Sequence, residues 1–152
     1  MSDRDCRFCD QDRFRSADIY IENDLCIFFA SFDPALRAEA RLVPDVLPGS
    51  GAVIPKAHRA GPFELTAAEW SATHDLLLKA RAALHEVLAP DAYTLGWNAS
   101  RLHAHLHVIP RFRDEPMWGA GLRSTFNVPD NKRPDPWRRG GGMAVPCSDQ
   151  DE

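Results

Sequence analysis

Three of the six histidines fall at His103, His105 and His107, alternating with Ala104, Leu106 and Val108. Side chains on a strand alternate faces, so this pattern predicts three imidazoles on one face, about 6.6 to 6.8 Å apart along the backbone, with the apolar residues in the core. An imidazole with an ordinary pKa of about 6.5 is largely neutral at pH 7. One ring can therefore attack phosphorus while its neighbours orient it or protonate the leaving group. The alternative chemistry is a zinc site in which two alternating histidines and a distant third hold a metal that activates water. Three same-face imidazoles beside an apolar core cost too much desolvation to be an idle pattern.

A second constellation is Cys6-Arg7-Phe8-Cys9. The other two cysteines are dispersed, Cys26 in an apolar run and Cys147 in a polar tail, which is no disulfide framework. A C-x-x-C pair points to metal or redox chemistry, and no thioredoxin-like βαβ pattern follows it. The plainer alternative is two small residues in an N-terminal segment. His74 and His85 lie on an expected helix face, where His85 interacts with the dipole, and Cys26 fills an apolar strand.

These groups need a scaffold, and 152 residues with 44% hydrophobic and 26% charged residues suffice for one domain with a core. A net charge of −4 provides no general field for a polyanion, so no nucleic-acid partner is expected. The apolar run Leu25–Ala30 is too short to span a bilayer, and the charged start lacks a signal-peptide core, so a soluble cytoplasmic protein with no membrane partner is expected.

Asp18–Phe29 reads as a hairpin around Glu22-Asn23-Asp24, and Gly51–Ile54 as a buried strand stopped by Pro55, with Lys56 and His58 leaving its end. Thr66-Ala67-Ala68-Glu69 matches a capping box. Trp70, Leu77, Leu84 and Leu88 recur at helical spacing before Pro90, which predicts a helix over 67–88 with those four residues in the core. Strands over 92–96 and 103–109 follow, the second ended by Pro110. The order β-β, β, α, β-β is an α+β fold. The 33–50 stretch is a long connection, and the Pro- and Gly-rich residues from 127 onward read as an irregular tail.

His103-Ala104-His105-Leu106-His107-Val108-Ile109, followed by Pro110-Arg111, resembles the signature of the histidine triad (HIT) superfamily of nucleotide hydrolases and transferases, in its bacterial zinc-bearing form. Val53-Ile54-Pro55-Lys56-Ala57-His58 is similar to that family's preceding strand, and Cys6-Arg7-Phe8-Cys9 to its zinc knuckle. Any one block is weak, but the ordered set is specific. The resemblance implies a HIT-like fold over 1–126, with an antiparallel sheet of about five strands and one long helix, and a tail over 127–152.

For the site it implies His103, His105 and His107 as the catalytic histidines, with His105 as nucleophile on an α-phosphate and His107 as a phosphate or leaving-group contact. Asn98 and Ser100 become phosphate contacts that turn chemistry would equally explain, and Asp33 a ribose contact. One structural zinc per chain would be held by Cys6, Cys9, His58 and His103, with no catalytic organic cofactor. The implied substrate is a nucleoside phosphoramidate, anhydride or dinucleoside polyphosphate, and the implied assembly a homodimer, with residues 118–137 as a segment that can pack on the partner. A nucleotide-binding or regulatory module with weak turnover is the alternative.

Two departures bear on activity. Ser50 follows Gly49 where family members place a histidine supporting the catalytic rings, and a hydroxyl is the replacement for that hydrogen bond. Only Ala99, Ser100, Arg101 and Leu102 separate Asn98 from His103, which shortens the loop that supplies phosphate donors, with Arg101 as a compensating charge. Phe8, Phe28 and Phe29 are candidates for a base pocket, with core packing the stronger reading for the last two.

Overall fold

The computed structural model describes residues 6–32, 49–97, 103–115 and 118–119. Five strands form one antiparallel sheet: β1 (Ile19–Glu22), β2 (Cys26–Ala30), β3 (Gly51–Pro55), β4 (Ala92–Trp97) and β5 (Leu106–Arg111), in spatial order β1-β2-β3-β5-β4. One long helix, α1 (Ala67–Leu88), packs on the sheet, giving the expected α+β architecture.

The β1–β2 hairpin closes on Asn23. Its Oδ1 accepts the Leu25 and Cys26 amides at 3.1 and 2.8 Å, an Asx-type turn, while Nδ2 donates to the Ala72 carbonyl on α1 at 2.9 Å. Strand β2 is buried on both faces and so reads as continuously apolar. Cys26, Phe28 and Ala30 face α1, and Ile27 and Phe29 face the opposite side.

Gly51 in β3 is required by close approach: a Cβ there would lie 2.2 Å from the Phe29 carbonyl oxygen across the ladder.

The capping box starts α1 as expected, with the Glu69 amide donating to Thr66 Oγ1 and the Thr66 amide to Glu69 Oε2. Left-handed Ala89 (φ 45°) ends it, just before Pro90. The buried stripe is Glu69, Thr73, Leu76, Ala80, Leu84 and Leu88, so Leu84 and Leu88 are core as expected, each contributing about 1.5 to 3 kcal/mol by burial. Trp70 is not core. It sits one position off the stripe, exposed, with its ring edge-on to Trp97 at 5.6 Å. Leu77 is only partly buried.

The side of the sheet away from α1 is covered by the N-terminal segment. A 3₁₀ turn, Gln11–Phe14, brings Phe14 onto Phe29 with ring centroids 4.3 Å apart, and Phe8 joins Phe14, Ile27, Phe29, Ala52 and Ile54 in a second core cluster. The base-pocket reading of Phe28 and Phe29 gives way to core packing, since both are buried in the interior. No helix among the described residues is long and apolar enough to cross a membrane. The tail over 127–152, the 33–48 connection and the Asn98–Leu102 loop lie outside the described residues.

Strands β3 and β4 each run one residue past expectation, to Pro55 and Trp97, and β5 differs at both ends. Strand β5 begins at Leu106 rather than at His103, because its pairing starts there, opposite Val53 on one side, although β3 itself runs on to Pro55, and opposite Trp97 on the other. It also continues through Pro110 to Arg111. The β3 pairing has already stopped at Val108, so the missing proline N–H removes no ladder bond on that side.

Candidate active site and metal cluster

Leu106 and Val108 point toward α1, so His107, paired with Ala52, faces the side covered by the N-terminal segment. Of the three histidines only His107 lies in the ladder. His103, Ala104 and His105 precede it, and their backbone is held by other partners. The Ala104 amide donates to the Arg59 carbonyl at 2.6 Å.

Freed from the ladder, His103 turns its ring into a buried cluster. Donor atoms of Cys6, Cys9, His58 and His103 all lie within 4.8 Å of one another. His103 Nδ1 is 3.4 Å from Cys6 Sγ and 3.6 Å from Cys9 Sγ, and His58 Nδ1 is 3.2 Å from Cys9 Sγ. Tetrahedral zinc with bonds of about 2.0 to 2.3 Å separates its donors by roughly 3.3 to 3.8 Å, close to these three separations, so the cluster could hold that ion. The His103 Nε2–H donates to the Pro55 carbonyl at 2.9 Å, which leaves Nδ1 with its lone pair toward the thiols, as an orienting partner of a ligand should. Two thiolates and two imidazoles fill a four-coordinate shell and leave no open position.

His105 stands beside this cluster, half-buried. Its Nδ1 lies 2.8 Å from the His103 carbonyl oxygen. A carbonyl can only accept, so Nδ1 carries the proton and Nε2 holds the free lone pair. Burial lowers the His105 pKa, the bond to the His103 carbonyl opposes that shift, and the Arg7 cation adds to it. The ring is therefore neutral at pH 7. Phe8 stacks on it at 5.1 Å and 27°, and the Arg7 guanidinium carbon lies 5.6 Å from the Phe8 ring centre. Phe8 is thus both core and one wall of the site, a contact that no periodicity in the sequence reveals.

The His107 ring meets His105 edge-on at 4.7 Å. Burial, and then the neighbouring His105, push its pKa down to about 4. Among the described residues, His105 and His107 stand outside the group whose donors converge, so the arrangement does not assemble three triad histidines around one metal. Ser50 is buried, but its Oγ has no hydrogen-bond partner among the described residues. The expected replacement of a supporting hydrogen bond is therefore not made there. Asn98, Ser100, Arg101 and Asp33 lie outside the described residues.

No family model and no curated protein matches the sequence. Solved structures do. A HIT family protein from Bacillus anthracis is similar at 23% identity, over 79% of this chain and 85% of that one, with a TM-score of 0.55. A member of the HIT family from Bacillus subtilis is similar at 20% identity over 95% and 98% of the two chains, with a TM-score of 0.56. A hypothetical histidine triad nucleotide-binding protein from Sulfolobus tokodaii is similar at 17% identity over 87% and 83%, also at 0.56. The chain therefore has the fold of HIT family proteins, with a Cys2His2 donor cluster where the sequence resemblance puts zinc.

Proposed function

We propose that this protein is a nucleotide hydrolase or nucleotidyl transferase acting on the α-phosphate of a nucleoside phosphoramidate, anhydride or dinucleoside polyphosphate. The observation that carries this reading is the His105 tautomer. With Nδ1–H bound to the His103 carbonyl, the Nε2 lone pair is the reactive group, and the ring's depressed pKa keeps that pair unprotonated. Nε2 forms a bond to phosphorus as the P–N or P–O bond to the leaving group breaks. The leaving group departs with that electron pair and takes up a proton. Water or a second acceptor then displaces His105, restoring the neutral ring and releasing the nucleotidyl product.

His107, neutral in the free protein, acts as an N–H donor to a phosphate oxygen and takes a proton for delivery only once phosphate charge raises its pKa. Asn98 and Ser100 complete the phosphate contacts and Asp33 the ribose contact. One zinc per chain in the Cys6, Cys9, His58 and His103 set would crosslink the N-terminal segment to the residues preceding β5. Reduced thiols are needed for that, which suits the cytoplasm. The assembly is a homodimer, a reading supported by β4 at the sheet edge with Leu95 half-exposed on it.

The test is incubation with an adenosine phosphoramidate and a dinucleoside polyphosphate, followed by intact-mass analysis. A covalent nucleotidyl adduct and product are expected with the native chain and neither with His105→Ala. Undiminished turnover by His105→Ala would move the nucleophile elsewhere. Nucleotide binding with no product from either protein would support the binding-module reading, which the Ser50 hydroxyl, without a partner among the described residues, favours.

A further inference from the structure

An ion pair joins the first turn of α1 to the residue whose backbone bonds the histidine segment. Glu69 is buried on the helix stripe, and its two carboxylate oxygens receive Arg59 in a fork: Nε at 3.1 Å to each, and Nη2 at 2.9 Å to Oε1. Arg59 is about one-third exposed and follows His58 directly in the chain. Its carbonyl accepts the Ala104 amide, the residue between His103 and His105, at 2.6 Å. Arg59 thus stands in contact with both halves of the site. One neighbour in sequence is a donor of the metal cluster, and the segment it bonds carries another donor and the candidate nucleophile.

We propose that Glu69 and Arg59 form a positioning clamp: the buried carboxylate fixes the Arg59 fork, and the Arg59 backbone in turn fixes His58 and the His103–His105 segment.

Helix capping alone does not need this fork. The capping box is complete between Thr66 and Glu69, and the Thr73 hydroxyl donates to the Glu69 carbonyl at 2.8 Å without Arg59. A planar bidentate fork holds angle as well as distance, which a lone charge would not. A carboxylate in a buried helix position is costly unless paired, and Arg59 draws its pKa below the usual carboxylate range.

The clamp and the cap can be separated by mutation. Arg59→Ala and Glu69→Gln disrupt the fork, Arg59→Lys keeps the charge without it, and Thr66→Ala removes the cap hydroxyl while leaving the fork in place. Two readouts apply to the full zinc-loaded chain, well below its melting temperature: the rate of zinc release to a coloured chelator, and kcat with KM on the substrates above. Only the kcat readout rests on the proposed nucleotidyl chemistry. If the native chain turns over no substrate, that function fails while zinc release still decides the clamp.

Arg59→Ala and Glu69→Gln are expected to release zinc about tenfold faster, and to lose kcat by a similar factor at nearly unchanged KM. Arg59→Lys should recover part of both. Thr66→Ala should melt lower yet keep the native release rate and kcat. Native release rates in Arg59→Ala and Glu69→Gln would overturn the proposal. So would a Thr66→Ala variant that loses zinc and kcat in proportion to its fall in melting temperature.

Discussion

The depressed pKa of His107 makes stability itself a reporter of the site. In the unfolded chain this imidazole takes a proton below its ordinary value of 6.5, whereas in the folded chain it resists protonation until about pH 4. The unfolded state therefore binds more protons between those two values, and stability falls as the pH drops through that window. The contribution is fully present above about pH 6.5. Between pH 7 and pH 5 the linkage amounts to about 2 kcal/mol, rising to roughly 3 kcal/mol below pH 4. His105, also depressed by burial, shifts stability in the same direction.

The assay compares urea unfolding of the native chain and of His107→Gln, whose side chain carries no titrating group, at several pH values from 7.5 to 4.5. Any loss of metal in acid is shared by both proteins, so it cancels in the difference. The variant starts less stable at pH 7 and should lose about 2 kcal/mol less than the native chain on going to pH 5. Parallel pH profiles, differing by under about 0.5 kcal/mol over that interval, would show that His107 titrates normally in the fold. The buried, neutral donor assigned to the phosphate would then be wrong.

Two further outcomes follow from the geometry. Cys9→Ala removes the sulfur that approaches both His58 and His103, so it should abolish stoichiometric zinc and lower the melting temperature by about 10 °C or more. Full metal content with a native melting temperature would refute the cluster as a structural zinc site. In solution, light scattering should report twice the 17.0 kDa chain mass, and Leu95→Lys on the β4 edge should shift it toward the monomer; a monomeric native chain would overturn the homodimer.

Local chemistry was legible where it is self-contained. Thr66, Glu69 and Pro90 delimit α1 because capping and proline geometry act within a few residues. The inward face of that helix was harder to read. The apolar residues Trp70, Leu77 and Leu84 recur every seven positions, but the observed stripe runs through Glu69 and Thr73. Hydropathy assigns a glutamate to solvent, and its burial is made tolerable by the Arg59 fork together with the Thr66 amide. The alternation from His103 likewise extends past the true start of β5, because a strand is set by its pairing and not by its own pattern, and the pairing starts only at Leu106, opposite Val53 and Trp97. Cys6 and Cys9 meet His103 across more than ninety residues. No periodicity encodes that meeting; it was readable only through the ordered blocks of the family resemblance.

The early end of the ladder is what makes the site possible. Had β5 begun at His103, the His103, Ala104 and His105 backbone would be available to neighbouring strands in the usual ladder pattern. Released from it, the Ala104 amide reaches Arg59, the His103 ring is held at Nε2 by Pro55 with Nδ1 toward the thiols, and the His103 carbonyl receives the His105 proton. The tautomer of the proposed nucleophile is thus set by the backbone of a residue whose own ring belongs to the metal cluster. Disturbance of the cysteines should then be felt at His105 through one carbonyl, although no cysteine sulfur needs to touch the substrate.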